Sequence, residues 1–146
     1  MSPRFLVLSA AVVLVAAGQP AKEDVKKELD KLQGEWKMVS LEQRGKKAPD
    51  EEVKAYTLTI KGDQWIVSVQ DREGRGMTIK IDPSKNPKTI DLTQKLGEKE
   101  VVSQGIYKLE GDTLTLCRTQ GKQERPKEFK TTEDGGILVV WKKSGK

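Results

Sequence analysis

The chain has 146 residues and a formal net charge of +5, from 27 lysines and arginines against 22 aspartates and glutamates, with no histidine and one cysteine. The absence of histidine removes the Ser-His and Cys-His nucleophile systems and the commonest general base. With a single cysteine, the chain also lacks an ordinary zinc site and any disulfide within a monomer. The composition therefore excludes most familiar catalytic centres, and we predict no cofactor and no metal.

Residues 1–18 have the pattern of a secretory signal peptide. Arg4 supplies a positive charge, the run from Phe5 to Val15 is apolar apart from Ser9, and residues 16–18 are small, as signal peptidase requires. The apolar run is shorter than the roughly 20 residues that a membrane span needs. We therefore expect cleavage, an extracytoplasmic mature protein that is periplasmic or secreted, and no membrane span after cleavage.

The charges of the remaining chain alternate in sign along the sequence. A nucleic-acid-binding protein usually concentrates its lysines and arginines on one face with aromatic residues between them. The alternation instead indicates a solvated surface, and we predict no nucleic-acid partner.

Residues 19–33 form a predicted short amphipathic helix and linker. Val25, Leu29 and Leu32 lie at helical spacing in a Lys/Glu background, which predicts a helix over residues 22–32. Gly34 ends this helix, and residues 34–143 form the predicted barrel domain. The sequence leaves open whether the helix caps the barrel or acts as a spacer.

The barrel domain alternates short apolar strands with turn residues. Gly62-Asp63 and Gly111-Asp112 predict tight hairpins, and a short helical turn is predicted between Pro49 and Tyr56. Residues 71–76 are a predicted turn, and residues 82–87 and 119–127 are predicted polar loops. Strands are predicted at residues 35–43, 56–60, 65–69, 77–81, 90–92, 101–109, 113–118 and 137–142, with a further short strand beginning at Phe129. About eight closely spaced antiparallel strands predict an all-β, up-and-down barrel, since closure removes exposed sheet edges.

Four segments in this order carry a resemblance to a known family: Leu32–Ser40 with its Gly-x-Trp, Ile81–Leu92, Gly105–Cys117 and Arg125–Phe129. Together they resemble an uncharacterised, usually exported, lipocalin-like domain family abundant in planctomycete bacteria, over about residues 32–143. The resemblance implies a small calycin-type barrel and no particular reaction. In typical lipocalins the Trp of Gly-x-Trp packs across the closed end beneath a basic side chain of the last strand. This implies a structural plug at Trp36, with Lys142 or Lys143 as its partner.

The remaining candidates for catalysis have simpler explanations. Cys117 lies in a predicted strand with no histidine to activate it, so we interpret it as a structural residue. Paired carboxylates can hydrolyse a glycosidic bond, but the acidic residues here cluster in turns and helix starts, where solvation explains them. We therefore predict that the protein is not an enzyme.

The barrel interior is the predicted binding site, because an eight-stranded barrel can hold one small ligand. Trp65, Met77 and Tyr107 are the preferred candidates, since large or flexible apolar groups suit a small hydrophobic molecule. The sequence alone does not show which alternating strand face points inward. The full set of predicted ligand-binding residues is Trp65, Val67, Met77, Ile79, Tyr107, Leu114 and Leu116.

Two hypotheses for function follow. In the first, the barrel binds a small apolar or amphipathic molecule, which predicts a cavity on the order of a few hundred Å³. In the second, the barrel is filled and the protein is an interaction or inhibitor module with a protein partner, acting through loops such as 82–88 and 119–127. A third, weaker option is a five-stranded oligonucleotide-binding barrel, which needs Trp65 and Tyr107 exposed beside basic residues; the strand count argues against it.

Overall fold

The computed structural model describes residues 20–120 and 123–145. The predicted signal peptide therefore lies outside the described residues. No helix in these two ranges is long and apolar enough to cross a membrane. The elements in chain order are α1 (Lys22–Leu32), β1 (Gly34–Gln43), β2 (Lys46–Lys47), α2 (Asp50–Val53), β3 (Tyr56–Lys61), β4 (Gln64–Val69), β5 (Arg72–Asp82), β6 (Lys88–Leu96), β7 (Lys99–Glu110), β8 (Thr113–Arg118) and β9 (Ile137–Lys143).

Eight of these strands form a closed antiparallel barrel. Strands β1 and β3 to β9 are each hydrogen-bonded to the next, and β9 returns to β1 in a register that runs from Trp36 opposite Lys143 to Gln43 opposite Ile137. The two-residue strand β2 pairs with the end of β1 and adds a short hairpin to the ring. The predicted all-β, up-and-down barrel of about eight strands with a short N-terminal helix is confirmed.

Two of the predicted hairpins form as expected, and a third connection differs. Gly62 and Gly111 adopt φ values of 62° and 58° in the β3–β4 and β7–β8 turns, a conformation that glycine reaches without steric cost. The predicted turn over 71–76 is wrong. The chain instead reverses at Gln70 and Asp71, both at positive φ, and β5 begins at Arg72. A tight hairpin turn requires the left-handed conformation at both central residues. Gln70 and Asp71 both adopt it here, so the turn forms without a glycine.

The predicted strand at Phe129 is also wrong. Within the described part of residues 119–136, the pairing outside the named strands is a single bridge between Thr132 and Gly135. Strands β8 and β9 already pair with each other along their length, so the ring offers this segment no free edge. Phe129 instead lies on the outer face of β7, where the Nζ of Lys108 is 5.0 Å from its ring centroid.

The inward-facing side chains form one hydrophobic core. Trp36, Trp65, Trp141 and Tyr107 are among its largest fully buried members. The rings of Trp65 and Trp141 meet edge to face with their centroids 6.4 Å apart, a preferred geometry for aromatic pairs. Full burial of one large apolar side chain stabilises the fold by roughly 1.5–3 kcal/mol, so this core is the main source of stability in a chain without a disulfide.

Helix α1 caps one end of the barrel, which answers the question that the sequence left open. Leu32 is fully buried in the core, and its carbonyl accepts a 2.9 Å hydrogen bond from the indole N–H of Trp36. The Nζ of Lys143 lies 5.3 Å from the ring centroid of Trp36. Trp36 is therefore the plug of the closed end, and Lys143 is its basic partner. The side chain of Gln33 completes the closure, because it bonds both the N–H and the carbonyl of Gly62 at 2.7 and 2.9 Å.

A charged cluster also holds the cap. The buried carboxylate of Glu28 accepts hydrogen bonds from the Nζ of Lys88 at 2.6 Å and the hydroxyl of Tyr107 at 3.2 Å. Burial raises the pKa of Glu28, but the hydrogen bonds and charges of Lys88 and Lys31 outweigh it, so the net pKa is lowered. Burial, followed by the charge and hydrogen bond of Glu28, raises the pKa of Tyr107. The cluster is therefore ionised at Glu28 and neutral at Tyr107 at neutral pH.

Candidate functional site

A cavity of about 340 Å³ lies at the open end of the barrel, opposite α1. The strand register builds it from inward-facing positions, because Leu92 is opposite Ser103 and Gln94 is opposite Val101. Its volume is near the lower limit of the roughly 300–1,000 Å³ that ligand pockets occupy. The cavity is lined by Met77, Leu92, Gln94, Val101, Ser103, Arg118 and Gln120.

Arg118 brings a positive charge into this cavity. Its Nη1 donates a 3.1 Å hydrogen bond to the Oγ of Ser103, and the Ser103 hydroxyl donates to the carbonyl of Thr119. Among the described residues, no carboxylate forms an ion pair with Arg118. Burial lowers the pKa of Arg118, but a guanidinium keeps its charge in proteins. The mouth of the barrel therefore contains a cation that has no counter-ion among the described residues.

Gly105 makes room for this arrangement. It lies opposite Arg118 in the β7–β8 pair, and a Cβ at this position would lie 2.7 Å from the carbonyl oxygen of Cys117 and 3.0 Å from the Cβ of Arg118. Such contacts are shorter than non-bonded carbon atoms tolerate. The absence of a side chain at Gly105 thus allows β8 to approach β7 closely where Arg118 turns into the mouth.

All seven residues predicted to bind a ligand face the barrel interior. Met77 lines the mouth cavity, and Val67 is half-buried against the core. The other five are buried within the packed core: Trp65, Ile79, Tyr107, Leu114 and Leu116. The structure thus shows which strand face points inward, and ligand contact by these residues stays a prediction.

Sequence reasoning missed the polar part of the mouth. Arg118 continues the period of two set by Leu114 and Leu116, so its inward direction was readable from the strand pattern. This signal is weak, because a charged residue at a strand end usually faces solvent. Ser103 carried no such signal, since its approach to Arg118 depends on the pairing of β7 with β8.

Two larger grooves lie outside the barrel interior. One of about 710 Å³ runs between Cys117 and residues 123–136, and one of about 860 Å³ lies beside the β1–β2 hairpin and α2. Cys117 is buried, and its thiol donates to the carbonyl of Lys130 at 3.4 Å. Burial is the main cause of the raised pKa of Cys117, which disfavours the reactive thiolate and agrees with a structural role. The described part of the chain contains no group of three or more Asp, Glu and Cys side chains that is placed to hold a metal ion.

Arg125 binds the described loop residues 123–127 to the outside of the barrel. Arg125 donates hydrogen bonds to the carbonyls of Ile90 and Gly105 at 3.2 and 2.8 Å. Its Nη2 also lies 2.7 Å from the carboxylate of Asp91. This contact fixes the loop against strands β6 and β7.

The exposed apolar side chains concentrate around the mouth. Of the five large apolar residues that are exposed in the described ranges, four belong to the strand ends at the open end of the barrel: Val69, Leu96, Val101 and Val102. A protein acting through its loops is expected to present its contact patch on those loops. These four side chains instead lie on strands at the open end, where Val101 lines the cavity and Val102 faces outward.

The fold and the site together define a closed eight-stranded antiparallel β-barrel with a helical cap at one end and a cavity containing an arginine at the other. Comparisons with protein-family models, with curated proteins and with solved structures give no match. The resemblance to the lipocalin-like family therefore stays a prediction.

Proposed function

We propose that this protein is an extracytoplasmic, non-enzymatic member of the lipocalin-like family that binds a small hydrophobic or amphipathic molecule in the mouth of its barrel. The observation that carries the proposal is the cavity of about 340 Å³ at the open end. The core below is filled by buried side chains, so the ligand is held at the mouth and does not reach the centre of the barrel.

The chemistry of the walls supports an amphipathic ligand. Met77, Leu92 and Val101 supply apolar surface, while Gln94 and Arg118 supply polar groups. In small-molecule sites, apolar walls provide most of the binding free energy, and a few polar groups fix the orientation of the ligand. The exposed apolar side chain of Leu96 at the rim extends the apolar wall toward solvent.

The polar groups of the mouth favour binding over catalysis. The only hydroxyl in the cavity wall, among the described residues, is that of Ser103. This hydroxyl is bonded between Arg118 and the carbonyl of Thr119. A nucleophilic serine needs an adjacent base, and neither partner of Ser103 is a base at neutral pH.

Release of bound molecules from the exported protein tests the proposal. The mature protein is purified after export, denatured, and analysed by mass spectrometry beside a mock purification. Two variants of β7 provide the comparison: V101W fills the cavity, whereas V102W adds the same bulk to the outer face. The wild-type side chains of Val101 and Val102 are similarly exposed, at 38% and 40%. The two variants therefore differ mainly in whether the new side chain points into the cavity or away from it.

We expect a reproducible small molecule from the wild type and from V102W, and its loss from V101W. An empty wild-type protein, or equal release from both variants, would contradict the proposal. Such a result would favour the alternative of a protein-interaction or inhibitor module with a filled barrel.

A further inference from the structure

We infer that the molecule bound in the mouth is a monoanion with an apolar tail, and that Arg118 binds its carboxylate headgroup. The inference rests on the proposed function, because it names the chemical class of ligand for the same cavity. It assigns to Arg118 the role of the residue that determines charge specificity.

The first observation is the uncompensated charge of Arg118. Its Nη1 bonds the hydroxyl of Ser103, and among the described residues its Nε and Nη2 groups have no hydrogen-bond acceptor and no carboxylate partner. A partly buried charge is less screened than one in bulk water, so it gains more from a paired anion. A ligand carboxylate supplies both the missing charge and the missing acceptors.

Arg125 provides an internal comparison. Both arginines are partly buried, and both lie against strand β7. Arg125, on the outside, has an ion pair with Asp91 at 2.7 Å and donates to two backbone carbonyls. Arg125 on the outside thus has an anionic partner within the protein. Arg118 on the inside has none among the described residues and lies in the wall of a cavity.

The second observation is the fixed position of the guanidinium. The hydroxyl of Ser103 accepts from Arg118 and donates to the carbonyl of Thr119, so the serine is itself held in place. Gly105 leaves the space that this approach requires. A guanidinium that is already oriented loses less conformational entropy on binding, and its planar pair of N–H donors matches a carboxylate.

The third observation is the number of charges in the cavity wall. Within the described ranges, Arg118 is the only charged residue of the wall, and Gln94 and Gln120 are neutral amides. One positive charge matches one negative charge, which favours a carboxylate over a dianionic phosphate ester. The apolar residues Met77, Leu92 and Val101 are available to the tail.

Octanoate and 1-octanol test the inference, because they share one alkyl chain length and differ in the charge of the headgroup. Their binding to the mature protein is measured by isothermal titration calorimetry at neutral pH. We expect octanoate to bind the wild type at least about tenfold more tightly than 1-octanol, a difference of roughly 1.4 kcal/mol.

Three variants locate the source of that preference. R118M removes the charge but keeps an apolar side chain, and we expect it to lose the preference for octanoate while still binding 1-octanol. R118K keeps the charge without the planar donors, and we expect it to bind octanoate more weakly than the wild type but more tightly than R118M. K142M removes one exposed charge at the closed end, and we expect wild-type binding.

Failure of the inference and failure of the proposed function give different results. Equal affinity of the wild type for both probes, or an unchanged preference in R118M, would overturn the inference and leave the binding function in place. Binding of neither probe, together with an empty wild-type protein in the mass-spectrometry experiment, would overturn the binding function itself. If R118M does not fold, S103A releases the guanidinium without removing its charge, and its octanoate affinity is then expected to fall.

Discussion

The Nζ of Lys88 lies 2.6 Å from the Oε1 of Glu28 and joins helix α1 to strand β6. Tyr107 donates to the same carboxylate oxygen at 3.2 Å. The carboxylate is buried, whereas the side chain of Lys88 is 37% exposed. The cap is thus attached to the barrel by a directed polar contact in addition to the packing of Leu32.

Removing the charge of Glu28 should weaken this attachment. We expect E28Q to lower the free energy of unfolding by about 1–3 kcal/mol, because Lys88 and Tyr107 lose a charged acceptor. Urea unfolding followed by tryptophan fluorescence measures the change. D30N removes an exposed carboxylate from the same helix and should stay within about 0.5 kcal/mol of the wild type. Equal effects of the two variants would contradict the role of Glu28.

The contribution of Glu28 should also depend on pH. Its pKa in the folded protein is lowered from the ordinary value of 4.5, so the unfolded chain binds this proton more readily and acid favours unfolding. The stabilisation is complete above about pH 4.5 and is lost as the pH falls through the folded pKa. We therefore expect the stability difference between wild type and E28Q to be constant near neutral pH and to shrink below about pH 4.5. Urea titrations at several pH values measure it, and a difference that persists undiminished at the acid end would contradict the assignment.

Lys143 should stabilise the closed end through the ring of Trp36. Its Nζ lies 5.3 Å from the ring centroid and donates to the carbonyl of Lys31 at 3.3 Å. We expect K143M to lower the free energy of unfolding by about 0.5–1 kcal/mol, and K143R to preserve or raise it, since arginine stacks better on an aromatic ring. K142M, one residue earlier and facing outward, is the matched control. Identical unfolding curves for K143M and K142M would show that the contact contributes nothing.

Arg118 and Arg125, which both lie against β7, should respond in opposite ways to removal of their charge. We expect R118M to keep or raise the midpoint of thermal unfolding, because it removes a charge that has no described counter-ion. R125M should lower the free energy of unfolding by about 1–3 kcal/mol, because it removes the ion pair with Asp91 and leaves two carbonyls without their donor. Calorimetry on both variants measures the difference. If R118M lost as much stability as R125M, Arg118 would have a role in stability instead of ligand binding.

Gly105 should not tolerate a methyl group. In G105A the new Cβ meets the carbonyl of Cys117 at 2.7 Å, and separating β7 from β8 should cost about 1–3 kcal/mol. G76A is the matched strand variant, since its Cβ would meet the movable end of the Gln64 side chain at 3.3 Å. We expect G76A to be much less destabilised in urea unfolding. Comparable losses in both variants would mean that any strand glycine here is equally sensitive.

Local pattern was sufficient for most of the barrel. The period of two and the glycine turns predicted the strands, because alternation and positive φ are properties of a few neighbouring residues. The helix at residues 22–32 followed from helical spacing for the same reason. Phe129 shows where this reasoning stops, since a short apolar segment becomes a strand only if a sheet edge is free to pair with it.

The sequence by itself determined the strand succession and the all-β barrel, because each depends on spacing along the chain, whereas the plug at Trp36 was implied by the resemblance to the lipocalin-like family. The tertiary structure alone decided that α1 is a cap, since Glu28 meets Lys88 and Tyr107 at separations of 60 and 79 residues. It also decided where the cavity lies. Ser103 and Arg118 belong to different strands and meet only through the register of β7 and β8, and such a register is set by the closure of the whole ring.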